Sequence, residues 1–374
     1  MTDSSASYRA AGVDTAAGDL AVELMKQSVA RTHGPQVLGG VGGFAGLWDA
    51  SALQGFRHPL LATGTDGVGT KVAIAQALDV HDTIGQDLVA MIVDDIVVVG
   101  ATPLFMTDYI ACGRVVPERI AAIVRGIAEA CEATGTALVG GETAEHPGLL
   151  GPDEYDVAGA AVGAVEADAV LGPERVEDGD VVLALASSGL HSNGFSLVRH
   201  ILQGADIGIH DELPEFGGVV GEALLTPTRL YARPLLRLLD DADLRPGVHA
   251  LSHVTGGGIA ANLARVLPRG SAVELDRSSW SPPAVFRVLS DIAGSSLEAA
   301  EGTWNLGVGF LAVVAERDAD GVVASLAADG IPAWAAGRVS RGAEPAELGE
   351  SSGWVVGAKG VDGGAVRLVG GYAD

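Results

Sequence analysis

The chain has 374 residues, with 48 acids against 23 bases, a net charge of −25 and 48% hydrophobic residues. That length predicts two or three domains with sizeable cores. That charge excludes holding a nucleic-acid backbone or an anionic membrane surface by bulk electrostatics.

Taken in chain order, "MTDSSASYRA" has no apolar core, so no signal peptide is predicted. No run approaches the ~18 apolar residues of a membrane span. Residues 14–33 read as an acid-started helix, followed by the glycine-rich "LGGVGGFAGLWD" at 38–49. A strand at 59–64 leads into the loop "GTDGVGTK". Residues 82–100 space Leu88, Met91, Ile92, Ile96 and Val99 as a helix does. A β-rich run at 104–112 precedes the clearest helix, 116–135, which has Pro117 in its first turn and Gly135 at its end. Strands at 136–145 and 155–165 close the first half.

A second unit starts near residue 167. Residues 179–202 and 248–268 each read as strand, polar glycine loop, helix. A strand at 305–316, a helix at 318–330 and a strand at 332–340 follow, and 345–374 reads as a weakly structured tail with one hairpin. Alternating strands and helices predict two α/β (α+β) domains; pattern alone leaves the sheet order open. Cys112 and Cys131 fall in strand-like and helix-like runs without a CxxC pair. They read as buried free thiols in a reducing cytoplasm, not as a zinc site.

The loop 64–71 carries the first chemical signal. Its glycines let backbone N–H groups approach phosphate oxygens, and Lys71 adds a cation. It is not a Walker loop, because Thr70 separates Gly69 from Lys71. An acid beside phosphates repels them unless a divalent cation lies between, so Asp66 reads as a Mg²⁺ ligand; the plainer alternative is a turn residue. Asp94 and Asp95 sit in an apolar helix, with Asp87 on the face of Asp94. Either one faces solvent or a cation compensates. In "GGETAEHPG" (140–148), Glu142 has few basic neighbours and suits a second cation, or else the segment is a surface turn. Residues 38–46 read as a ligand-covering loop or a flexible linker. "SSGLHSNG" (187–194) and "TGGG" (255–258) each join a strand to a helix, where exposed N–H groups bind anions. His191 and His253 beside them are ligand or acid–base candidates.

"SYRAAGVD", "GGVGGF", "GTDGVGTK", "HDTIGQDLVAM", "GGETAE", "YDVAG", "SSGLHSNGFSLVR", "LTPTR" and "HVTGGG" occur together and in order. Over roughly residues 7–340 the chain resembles the phosphoribosylformylglycinamidine cyclo-ligases, also called aminoimidazole ribonucleotide synthetases. The resemblance implies a protomer with an N-terminal ATP/Mg-binding and dimerisation domain (1–166), a C-terminal domain (167–345) and a tail (346–374). It implies a cytoplasmic homodimer whose N-terminal sheets join. ATP and Mg²⁺ would bind Gly64, Thr65, Asp66, Gly67, Gly69, Thr70, Lys71, Asp108, Gly140, Gly141, Glu142 and Thr143, with Asp66, Asp95 and Glu142 as metal ligands. Lys71, Asp95 and His191 would be catalytic. Ser188, His191, Ser192, Asn193, His253, Gly256 and Gly257 would hold the ribonucleotide. "VDD" replaces the family's more usual Asn-Asp before the acid, which makes Asp94 a bystander.

The implied reaction is ATP-driven ring closure in purine biosynthesis. Related families argue less well for these residues. Selenophosphate synthesis uses a reactive residue near the N-terminus, whereas the first cysteine here is Cys112, and hydrogenase maturation uses a C-terminal cysteine, whereas Asp374 is last. Thiamine monophosphate phosphorylation is the minor alternative. A non-catalytic nucleotide-binding regulator is disfavoured by the set Asp66, Lys71, Asp95 and Glu142.

Overall fold

The computed structural model describes residues 14–40, 42–342 and 353–373. The "SYRAAGV" motif and the expected boundary at 345/346 lie outside these residues. The first half contains helix α1 (Thr15–Arg31), strands β1 (Val37–Leu38), β2 (Leu47–Trp48) and β3 (Pro59–Gly67), helices α2 (Val72–Leu78) and α3 (Thr83–Val98), and strand β4 (Thr102–Cys112). Helix α4 (Pro117–Thr134) and strands β5 (Ala137–Glu145) and β6 (Tyr155–Glu166) complete it. The local signals hold. Asp14 caps α1 by accepting from the N–H groups of Ala16 and Ala17. Pro117 opens α4, and Gly135 ends it at φ 76°.

Strands β1 and β2 pair with each other, and β3 to β6 form one four-stranded sheet in the order β3-β6-β4-β5, with only β4 and β5 parallel. Helix α3 packs on β3 and β6, α4 packs on α3, and α1 packs on α4. Ile92, Ile96 and Leu88 are fully or almost fully buried beneath the sheet. The opposite sheet face is uncovered: Leu61 is 65% exposed and Tyr109 42%.

The second half contains β7 (Val181–Ala186), α5 (Phe195–Gly204), β8 (Glu212–Leu213), β9 (Gly218–Val219), α6 (Val220–Leu224), α7 (Ala232–Asp240), β10 (Val248–His253) and α8 (Gly258–Ala264). It continues with β11 (Ser271–Asp276), α9 (Ala284–Ala293), β12 (Val308–Val314), α10 (Ala319–Ala328), β13 (Ala333–Arg341), β14 (Val355–Ala358) and β15 (Val361–Val369). A seven-stranded sheet runs β10-β12-β7-β13-β11-β15-β14, antiparallel except for β11 beside β15.

Two expectations are corrected. The C-terminal segment contains the expected hairpin, but it is no weakly structured tail. Strand β15 is an interior strand, and Ala365 and Val366 are buried against the neighbouring elements. The "GTDG" segment is not a loop, and "GGET" stays within the strand expected at 136–145 rather than forming a surface turn. Both remain paired strand, Gly64 through Gly67 against β6 and Gly140 through Thr143 against β4. Gly64 admits the helix above it: a Cβ there would lie 3.3 Å from the Ile92 carbonyl oxygen. A small residue at that strand position lets α3 sit close on the sheet.

Candidate active site at the seam of the two halves

Helix α3 and the end of β3 meet the loops of the second half along one seam. Ser192 Oγ donates to the Val68 carbonyl at 2.6 Å, and Thr70 and Ser196 hydroxyls pair at 3.0 Å. Gln86 donates to the Thr228 carbonyl at 2.7 Å. The seam is where the sequence-predicted residues either gather or separate.

Lys71 does not face a phosphate site. Its side chain is fully buried, and Nζ donates to Asp87 Oδ1 at 2.9 Å, the His191 carbonyl at 3.0 Å and the Thr226 carbonyl at 2.8 Å. Asp87 Oδ1 also accepts from the Thr228 N–H at 2.9 Å and its hydroxyl at 2.5 Å. All three ammonium hydrogens thus have acceptors. Burial pushes Lys71 down and Asp87 up, and each partner's charge opposes that push. Lys71 joins the two halves; its "GTK" context carried no signal of this, since its partners come from α3, "SSGLHSNG" and "LTPTR".

Asp66 and Asp95 do come together. Asp66 leaves β3 with Oδ1 accepting its neighbour Gly67 N–H at 2.7 Å. Burial, then the charge of Asp95, push its carboxyl up. Asp95 is half exposed, and its Oδ1 pairs with His253 Nδ1 at 2.9 Å. Burial acts to lower His253, but the Asp95 hydrogen bond and the charges of Asp95, Asp94 and Asp66 raise it overall. Two mutually repelling carboxylates fit a divalent cation of the Mg²⁺ type, which favours carboxylates and phosphate oxygens. Asp94, the expected bystander, is fully buried and accepts the Tyr231 N–H at 3.2 and 3.3 Å. Burial pushes its carboxyl up to about 7. It anchors the start of α7 to α3.

The two loops of the second half face each other: a Cβ on Gly256 would lie 3.4 Å from Asn193 Oδ1. Thr255 accepts from Gly258 N–H at 3.2 Å, and Gly257 turns the chain at φ 105°. Ser188 Oγ is committed to the Pro227 carbonyl at 2.6 Å. His191 is not an open-loop acid–base group. Its backbone is left-handed at φ 61°, and its ring is buried over Gly309, where a Cβ would lie 2.4 Å from its Cε1. Burial holds it well below the usual histidine range, and its neutral Nε2 accepts the Ser188 N–H at 3.1 Å. His191 shapes the loop that presents Asn193.

Glu142 lies elsewhere. Asp66, Gly159, Asp108 and Gly141 are in register across the four strands. At ~4.8 Å per strand, Asp66 and Gly141 are roughly 14 Å apart. Among the described residues no group of three or more His, Cys, Asp or Glu side chains forms a metal cage. Within the chain, Glu142 is thus separated from Asp66, as its expected role toward a second cation requires. Glu142 lines a cavity of about 240 Å³ with Asp108, Gly140, Gly141, Thr143, Met25 and Gly43. Gly141 is required there, since a Cβ would lie 2.2 Å from Asp108 Oδ1. Burial pushes Asp108 up to about 7. Thr65 alternates with Asp66 and so points to the uncovered sheet face. The glycines at 40, 42 and 43 also line the cavity, so this stretch borders a binding space.

Fold and site define an AIR synthase-related protein. The model of the "AIR synthase related protein, N-terminal domain" matches residues 49–165, and that of the C-terminal domain matches 177–347. The chain belongs to the phosphoribosylformylglycinamidine cyclo-ligase family: it is 51% identical over 339 residues to the cyclo-ligase of Sorangium cellulosum (strain So ce56), covering 90% of this chain and 95% of that one. Among solved structures, thiamine-monophosphate kinase from Stenotrophomonas maltophilia K279a superimposes with a TM-score of 0.65 at 19% identity, over 94% of this chain and 96% of that one. A hydrogenase maturation protein in complex with ATP gives a TM-score of 0.58 at 16% identity over 87% of each chain. Those two likenesses show the shared fold.

Proposed function

We propose that this protein closes formylglycinamidine ribonucleotide to 5-aminoimidazole ribonucleotide, using ATP and releasing ADP and phosphate, in de novo purine biosynthesis. The observation that carries this is the 51% identity extending over 90% of the chain, across both halves whose seam forms the site. A formamide carbonyl is a poor electrophile with a poor leaving oxygen. The formyl oxygen attacks the γ-phosphorus and ADP leaves. The amidine-side nitrogen then attacks the formyl carbon, and the phosphorylated oxygen departs as phosphate. Such a site works by positioning and by neutralising phosphate charge.

Asp66 and Asp95 are the residues that would hold Mg²⁺, which supplies charge neutralisation for the polyphosphate. His253 fixes the Asp95 carboxylate through its 2.9 Å hydrogen bond. Asn193 and the Gly256–Gly257 turn lie against one another and are the residues that would hold the ribonucleotide. The cavity beside Glu142 and Asp108 is the second part of the nucleotide site, and the glycines at 40, 42 and 43 border it.

The working form is a cytoplasmic homodimer. The uncovered sheet face, with Leu61 65% exposed beside the small residues of β6, supports a second copy there. No helix among the described residues is long and apolar enough to cross a membrane.

The test uses substrate carrying ¹⁸O in the formyl group. The label is expected in the released phosphate, with ADP and a product retaining only its 5′-phosphate. Label retained in the organic product, or a product one phosphoryl group heavier, rejects ring closure in favour of a kinase or a simple ATPase.

A further inference from the structure

With Lys71 buried, the seam lacks the cation that the glycine-rich motif promised. The chain has three lysines, Lys26, Lys71 and Lys359. Lys26 pairs with Glu23 on the surface of α1, and Lys71 pairs with Asp87. Among the described residues Lys359 forms no ion pair. It occupies the turn between β14 and β15, and the turn brings it to the "TGGG" loop at the seam: its Nζ donates to Thr255 Oγ1 at 3.5 Å.

The turn itself is built against local preference. Ala358 pairs with Val361, which leaves Lys359 and Gly360 as a two-residue loop with φ 50° and 81°. Both values are left-handed, the geometry that favours Asn-Gly and penalises lysine at the first position. A residue held in a backbone conformation it disfavours, with its side chain reaching a glycine loop, points to a use for that side chain. The placement is also firm. The hairpin packs on α8, and a Cβ on Gly363 would lie 2.0 Å from the Ala264 carbonyl oxygen. The hairpin lies beyond residue 347, where the C-terminal family model stops.

We propose that Lys359 is a phosphate-binding residue of the active site, placing its ammonium on a phosphoryl group held at the glycine loop beside Thr255. The shared chemistry is a phosphate dianion, supplied by the ribonucleotide's 5′-phosphate or by the terminal phosphate of Mg-ATP. The choice between these sources rests on the ring-closure reading; the cation at the seam does not.

Lys359→Asn is the decisive variant. It removes the charge and suits the left-handed turn better, so its melting temperature should equal or exceed that of the parent. Its KM for the ribonucleotide, or its dissociation constant for Mg-ATP alone by calorimetry, should rise about tenfold, the scale of one charge-assisted hydrogen bond. Lys359→Arg should restore most of that loss. A change confined to the ribonucleotide assigns the 5′-phosphate, and a change confined to Mg-ATP assigns the nucleotide; both support the proposal. Unchanged constants for both ligands, or a loss of melting temperature with no loss of affinity, overturn it. If the parent itself fails to turn over the ribonucleotide, the ring-closure reading fails first, and the Mg-ATP titration still tests Lys359.

Discussion

Lys71 Nζ and Asp87 Oδ2 lie 2.8 Å apart, with neither side chain exposed to solvent. Their other partners, the His191 and Thr226 carbonyls and the Thr228 N–H and hydroxyl, all belong to the second half. A charge pair is thus the rivet between an N-terminal helix and the loops of the C-terminal half.

Removing one member of such a pair leaves the other buried and unpaired, at a cost of about 3–5 kcal/mol. Lys71→Met should therefore lower the denaturation midpoint sharply. Lys71→Met with Asp87→Leu should recover much of the loss, because the desolvation of both ions disappears. Urea unfolding of both single variants and the double variant measures the coupling. A Lys71→Met protein of parental stability with weakened Mg-ATP binding would return Lys71 to the phosphates.

Asp66 bears the opposite balance. It is pushed up by burial and by Asp95, and only the Gly67 N–H and the more distant cations His253 and Lys359 offset this. Without metal, Asp66→Asn should unfold at a temperature no lower than the parent. With metal, its activity should require far more Mg²⁺, by at least about tenfold. Thermal scans with and without Mg²⁺, alongside a Mg²⁺ titration of turnover, check both halves. Equal Mg²⁺ requirements would remove Asp66 from the metal site.

His249 supplies a pH dependence outside the site. Its Nδ1 pairs with Asp180 Oδ2 at 2.7 Å. The hydrogen bond to Asp180 raises it above its ordinary 6.5; burial opposes this, the charges of Asp180 and Glu177 add to it, and Arg175 opposes it. A raised histidine stabilises the fold fully below its unfolded value and loses that contribution as pH rises through the folded value. His249→Gln should therefore cost most below about pH 6 and least near pH 9. Denaturation midpoints of parent and variant across that range should converge as pH rises; a constant gap would show that the pair contributes through packing alone.

The sequence by itself determined the elements whose causes are local. The apolar spacing of α3, Pro117 and Gly135 on α4, and the strand-loop-helix units around 187–194 and 255–258 follow from propensity, caps and periodicity within a few residues. It also marked Asp66, Asp95 and His253, because acids and histidines beside glycines are unusual in apolar surroundings. It missed α7, α9 and β11, and it read the strand end "GTDG" as a loop, because glycine signals a turn and close helix packing alike. Only the tertiary structure decided what each charge does. Lys71 turns inward because an acid on α3 and two carbonyls from the other half surround it, whereas Lys359 reaches Thr255 because β15 is held between β11 and β14. Glu142 parts from Asp66 because strand order sets three strands' width between their segments. Charges act over a few ångströms of space, and the chain brings together in space residues that no local pattern connects.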